Sequence, residues 1–154
     1  MDLKYSHVDI LVSDLDKAVS YYQKIFGCTP SKKQTWKRGD FHVDYVIMFY
    51  GNQRFYFVQP YSGNLKELLD QKGDGTIYRF CFTAPDIRAS YRELKASGVQ
   101  PENENGQPLS EDDLIAPSGT PSMWLPKVIG GLSIEILEEK GMDQRMDRLR
   151  REVQ

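Results

Sequence analysis

Residues 5–12 largely alternate between apolar and polar side chains, the period of a strand with one face turned to a core. The period then changes. Leu15, Ala18, Val19, Tyr22, Ile25 and Phe26 recur at helical spacing, with Ser13 or Asp14 placed to cap the first turn and Gly27 to end the last. Residues 29–38 are polar and hold Trp36. Residues 43–50 and 54–59 are rich in β-branched and aromatic side chains and predict two strands. Gly51-Asn52-Gln53 between them marks a hairpin, though not the tight two-residue Asn-Gly kind. Residues 60–75 read as a linker with one short helical turn at Leu65, Leu68 and Leu69.

This plan is written twice. Residues 7–25 (HVDILVSDLDKAVSYYQKI) align without a gap on residues 79–97 (RFCFTAPDIRASYRELKAS), at an offset of 72. The second copy predicts a strand over 77–84 and a helix over 87–97 that stops at Gly98. Arg54-Phe55-Tyr56-Phe57-Val58-Gln59 is echoed by Ser133-Ile134-Glu135-Ile136-Leu137-Glu138 at an offset of 79. Residues 101–122 are long, polar and rich in Pro, Gly and Glu, which marks a functional or disordered loop. Strands over 123–126 and 132–137, joined through Gly130-Gly131, complete the copy. A repeat of this length is too long for a solenoid unit and suits a duplicated β-α-β-β-β module. The expected fold class is α+β, with two paired β-α-β-β-β modules forming a shared cleft. The first module covers 1–60, a linker 61–76, the second module 77–138, and a C-terminal amphipathic helix 139–154. In that helix Met142, Met146, Leu149 and Val153 form a stripe that needs burial, on its own domain or against another subunit.

Composition narrows the classes. A chain of 154 residues suits one compact domain, or two half-size modules with a common core. A formal charge of −2 offers no broad basic field, so neither nucleic acid nor a membrane surface is an expected partner. No apolar run is long enough to span a bilayer, and the opening MDLKYSHVDI resembles neither a signal nor a transit peptide, so a cytoplasmic location is expected. Cys28 and Cys81 lack CxxC spacing and read as reduced thiols, Cys81 as a small core residue. Two histidines, and no Ser in a strand–turn–helix elbow, leave no hydrolase triad.

The run His7-Val8-Asp9-Ile10-Leu11-Val12-Ser13-Asp14-Leu15-Asp16-Lys17-Ala18, continuing to Tyr22 and Phe26-Gly27, resembles the opening of the vicinal oxygen chelate superfamily. That superfamily includes glyoxalases, methylmalonyl-CoA epimerases, extradiol dioxygenases, and fosfomycin- and bleomycin-resistance proteins. The closing run Trp124-Leu125-Pro126-Lys127, then Gly130-Gly131-Leu132-Ser133-Ile134-Glu135-Ile136-Leu137, is similar to the last strands of its epimerase and glyoxalase branches. The resemblance covers roughly residues 5–138. It implies four metal-ligand positions on four strands, two per module, which fall here on His7, Tyr56, Arg79 and Glu135. His7 and Glu135 keep ligand chemistry. Tyr56 stands where the family has Glu, Gln or His, and Arg79 where it has His.

Arg79 is the decisive departure, because a guanidinium has no lone pair to give a metal and repels one nearby. No cofactor is therefore expected, with a divalent metal on His7, Glu135 and water as the alternative. Without a metal, Arg79 can steady an oxyanion, Tyr56 can add a hydrogen bond, and Glu135 or His7 can move a proton. A buried Arg79–Glu135 ion pair with a purely structural role is the competing reading. Trp124, Tyr45, Phe49 and Asp40 are the expected substrate-contacting residues; for Asp40, beside His42, a plain surface turn is the alternative. Lys32, Lys33, Lys37 and Arg38 offer a rim contact for the phosphates of a thioester ligand, or a solvated basic patch. The expected function is a glyoxalase/epimerase-like enzyme, lyase or isomerase, acting on a small carbonyl or thioester compound by proton abstraction and enolate stabilisation. The alternative is a non-catalytic protein that binds or sequesters a small molecule. A homodimer is the expected assembly.

Overall fold

The computed structural model describes residues 1–114, 119–127 and 133–154. The Gly130-Gly131 joint, Leu132 and residues 115–118 of the long loop lie outside the described residues. The chain divides into two compact units, one of residues 7–78 with 148–154 and one of residues 1–6 with 79–147. Among the described residues, no helix is long and apolar enough to cross a membrane.

The first unit opens along strand β1 (Lys4–Leu11), whose residues from His7 onward belong to it, and helix α1 (Leu15–Phe26) follows. The Asp14 side chain accepts from the Lys17 amide at 3.0 Å and so serves a donor left open by the first helical turn. Gly27 ends the helix at φ 67°, a left-handed conformation that a side chain would disfavour. The segment 29–38, read from sequence only as polar, forms two strands, β2 (Thr29–Pro30) and β3 (Gln34–Arg38). Both pair antiparallel with β4 (Phe41–Tyr50), which in turn pairs antiparallel with β5 (Gln53–Ser62). The hairpin turn is tighter than expected. Tyr50 pairs with Gln53, leaving only Gly51 and Asn52 between the strands, with Gly51 at φ 60°. A glycine of positive φ at the first turn position is what a two-residue loop demands when the second position is not left-handed. The expected linker is a ten-residue helix, α2 (Gly63–Lys72), rather than a single turn. β1 and β5 pair in parallel. Val12, Leu15, Cys28, Val46, Met48 and Phe57 form the core between α1 and the sheet face beneath it.

The second unit repeats the plan with shorter strands. Strand β6 (Thr76–Ala84), most of which lies in this unit, leads into helix α3 (Ile87–Ala96). Asp86 caps α3 through the Ala89 amide, again at 3.0 Å. Strands β7 (Ser122–Trp124) and β8 (Ile134–Glu138) pair antiparallel, and β8 lies parallel to β6. The long polar segment before β7 is anchored where it is described. Tyr91 donates to the Leu109 carbonyl at 2.6 Å, and Arg92 holds Glu111 at 2.5 Å in a 3₁₀ turn over Glu111–Asp113. Ala84, Ile87, Tyr91, Leu94, Leu114, Met123 and Ile136 make this unit's core. The C-terminal helix α4 (Glu139–Arg151) buries Met142, Met146 and Leu149 within its own chain, while Val153 lies beyond the helix end.

Candidate functional site

Strand alternation decides which side chains face away from the helices. In the first unit, Ile10, Val12, Val46, Met48 and Phe57 belong to the helix-facing core. Their neighbours therefore point to the opposite face. That face carries His7, Asp9 and Leu11 from β1, Tyr56 from β5, and Tyr45, Ile47 and Phe49 from β4. The parallel register sets Asp9 beside Tyr56, and the antiparallel register sets Ile47 beside Tyr56 and Phe49 beside Arg54. The His7 and Tyr56 rings stack at 3.8 Å and 9°, and Tyr56 lies parallel to Tyr45 at 5.8 Å and 2°. His7, Tyr56 and Tyr45 thus make a short column of rings, all buried.

Asp9 is the residue the sequence reading passed over. It is only 1% exposed, and its Oδ1 lies 3.4 Å from His7 Nε2. The available signal was positional: an acid two residues from His7 on an alternating strand must share its face. Phe49 is covered by Arg150, whose guanidinium carbon stands 4.3 Å above the ring. Asp40 sits in the turn before β4, about 17 Å along the strand from Tyr45 at the usual rise per residue. Its backbone carbonyl accepts from the Ser62 hydroxyl at 2.6 Å, and the neighbouring backbone leaves only 3.0 Å for a Cβ at Gly63. Structure thus gives Asp40 a turn-forming part. The His42 and Tyr61 rings lie 4.8 Å apart at a tilt of 43°.

In the second unit the corresponding face carries a charge pair. Register places Glu135 between Cys81 on β6 and Trp124 on β7. Arg79, two residues before Cys81, shares the face of Cys81. Arg79 Nη1 lies 2.7 Å from Glu135 Oε2, and Cys81 Sγ donates to the same oxygen at 3.6 Å. The guanidinium also stands 5.8 Å from the Trp124 ring. Glu135 and Cys81 are fully buried, and the Arg79 side chain is 14% exposed. The Trp124 indole N–H has no hydrogen-bond partner among the described residues.

These residues do not fit the divalent-metal set that the resemblance implies. Glu135 Oε2 already accepts from a permanent cation at 2.7 Å, and that cation occupies the position where a neutral histidine ligand would stand. On the first unit's face the second ligand position holds a phenol packed between two rings, where the resemblance implies Glu, Gln or His.

Each unit carries a strand, a capped helix and further strands, with polar residues on the strand face away from that helix, and comparison agrees with the class this plan suggests. Residues 6–124 match the model of the Glyoxalase/Bleomycin resistance protein/Dioxygenase superfamily, and the chain belongs to that family. Among similar proteins, the mitochondrial methylmalonyl-CoA epimerase of Homo sapiens is 26% identical over 136 residues, covering 86% of this chain and 72% of the human protein. The crystal structure of methylmalonyl-CoA epimerase from Mycobacterium tuberculosis superposes with a TM-score of 0.70 at 20% identity, covering 87% of this chain and 86% of that one. A methylmalonyl-CoA epimerase in complex with methylmalonyl-CoA and NH4+ gives a TM-score of 0.64 at 15% identity, covering 88% and 93%. The two structures establish a shared fold.

Proposed function

We propose that the protein is an epimerase-like enzyme that moves the α-proton of a thioester without the family's usual metal. The observation that carries the proposal is the buried Arg79–Glu135 pair, a fixed positive charge 2.7 Å from a carboxylate. Loss of an α-proton sends negative charge onto the thioester oxygen, and catalysis requires a group that stabilises that charge. A guanidinium has five N–H donors in a rigid fork, so Arg79 can hold Glu135 with one edge and receive an enolate oxygen with another. Glu135 takes the proton, and epimerisation needs a second acid to return one to the opposite face. Tyr56 stacks on the His7 ring and holds its orientation. Similarity to methylmalonyl-CoA epimerases supports a branched acyl thioester as substrate.

The test is hydrogen exchange. Methylmalonyl-CoA incubated with the protein in D2O is expected to gain deuterium at the α-carbon. Glu135→Gln is expected to lower that rate by at least about a hundredfold, the usual worth of a general base. Wild-type exchange by Glu135→Gln would remove Glu135 from the mechanism. Chelator-treated protein is expected to keep its activity, and metal-dependent turnover would overturn the metal-free reading.

A second reading, a protein that holds a ligand without chemistry, is favoured by one observation. The ion pair already occupies Glu135 Oε2, which leaves a poorer base. Tight binding of a thioester with no α-proton exchange would select this reading.

A further inference from the structure

We propose that the last turn of α4 and the β4–β5 turn form a phosphate-binding corner, and that it holds the phosphorylated carrier of the substrate, an assignment that rests on the thioester reading above. All of its parts belong to the unit of residues 7–78 and 148–154. Arg150 Nη1 donates to the Gly51 carbonyl at 3.0 Å, and its guanidinium carbon stands 4.3 Å over the centre of the Phe49 ring. These two contacts fix the guanidinium and leave further N–H donors for an acceptor outside. Phe49 pairs in register with Arg54, so Arg54 projects on the same sheet face as the ring that Arg150 covers. Arg148 and Arg151 add two exposed cations to the same helical turn. The turn opposite, Gly51-Asn52-Gln53, carries no charge, and Glu152 is the one acid in residues 148–154. Among the described residues, Arg148, Arg150 and Arg151 make no ion pair.

The other basic cluster, Lys32, Lys33, Lys37 and Arg38, is the one that sequence alone offers for phosphates. Lys33 is engaged with Asp16 at 3.0 Å, and Asp44 faces this strand, accepting from Thr35 at 2.6 Å. Lys33 thus already meets a carboxylate, whereas the Arg150 corner gathers cations around a guanidinium anchored at the Gly51 carbonyl. A guanidinium anchored through one N–H keeps others that can match two phosphate oxygens at once.

Adenosine 3′,5′-bisphosphate, the phosphate-bearing end of coenzyme A, is the probe, titrated calorimetrically at low salt. Wild-type protein is expected to bind it, with affinity falling as salt rises. Arg150→Gln is expected to weaken binding by at least about tenfold, Arg54→Gln less, and Arg150→Lys to recover part of the loss, since a lysine supplies charge without the fork. Lys33→Gln/Lys37→Gln is expected to stay within about twofold of wild type, and the melting temperature of Arg150→Gln to stay near wild type. No binding by the wild type, full binding by Arg150→Gln, or loss only in the lysine variant would overturn the corner. So would dependence on Arg150 for methylmalonate, a dicarboxylate, but not for the bisphosphate. The two proposals fail separately. Arg150-dependent bisphosphate binding without thioester exchange refutes the reaction and leaves the corner standing. Exchange by Arg150→Gln with wild-type KM refutes the corner and leaves the reaction standing.

Discussion

In the first copy, the strand carrying His7 pairs in parallel with the strand carrying Tyr56; in the second, the strand carrying Arg79 pairs in parallel with the strand carrying Glu135. The backbone plan is shared down to the caps, with Asp14 and Asp86 each accepting from the amide three residues on. The filling differs. The first copy packs a column of rings behind two ten-residue strands, and the second packs an ion pair behind strands of three and five residues. Duplication therefore conserves what local chemistry specifies, while side chains at a few register positions turn one plan to different chemistry. A column of rings is held by packing and tolerates loss of a polar atom. A buried ion pair tolerates loss of neither partner.

The largest expected effect tests the second copy. Arg79→Met strips the guanidinium from a buried carboxylate and is expected to cost about 3–5 kcal/mol in urea unfolding. Adding Glu135→Leu is expected to recover most of that loss; an unrecovered double variant would show that neighbours other than the pair dominate. In the first copy, Tyr56→Ala is expected to cost about 3 kcal/mol by emptying the middle of the column, whereas Tyr56→Phe keeps the stack and is expected to cost under about 1 kcal/mol. Equal losses in the two variants would mean the phenol oxygen, not the ring, carries the contribution. Asp14→Ala and Asp86→Ala are each expected to lose about 1 kcal/mol, and a large disparity would break the equivalence of the two caps.

The smallest effect is a pH dependence found in the first unit. Burial works against the charged form of Asp44, but hydrogen bonds from Thr35 and Tyr61 outweigh it and hold the carboxyl below its ordinary value. A lowered folded-state value means the contribution is full above the ordinary Asp range, about pH 4, and is lost as pH falls through the lowered value. Asp44→Asn is accordingly expected to cost about 1 kcal/mol at pH 7 and progressively less as pH falls below the ordinary Asp range, read from urea melts across acid pH. The same contact holds the Tyr61 hydroxyl above its usual value, since its proton is shared with Asp44. A gap between variant and wild type that is unchanged by pH would contradict the assignment.

Much of the first copy is legible in the chain. A strand expected over 5–12 is found at Lys4–Leu11, and the helix from Leu15 to Phe26 ends at the glycine that predicts its end. Residues 29–38 are less legible because β3 buries none of its side chains fully, so no apolar alternation marks it. Helix α2 hides for a similar reason, with only Leu65 and Leu69 buried among ten residues. At the site, the offset of 72 pairs His7 with Arg79 and the two-residue spacing sets Asp9 on the face of His7, yet the 3.4 Å approach of their side chains is set by the fold.

Sequence alone determined the period of β1, α1 and α3, the caps of both helices, the duplication and the presence of a cation where a ligand was expected. Periods and caps depend on residues within a few positions of one another, and the duplication shows when one stretch is set beside another. Tertiary structure decided that Glu135 is the partner of Arg79, that Tyr56 lies between two rings, and that Arg150 reaches a carbonyl 99 residues away. Such meetings are set by strand register and helix docking, which join distant segments through the sum of many weak contacts, and no single stretch of the chain encodes that sum.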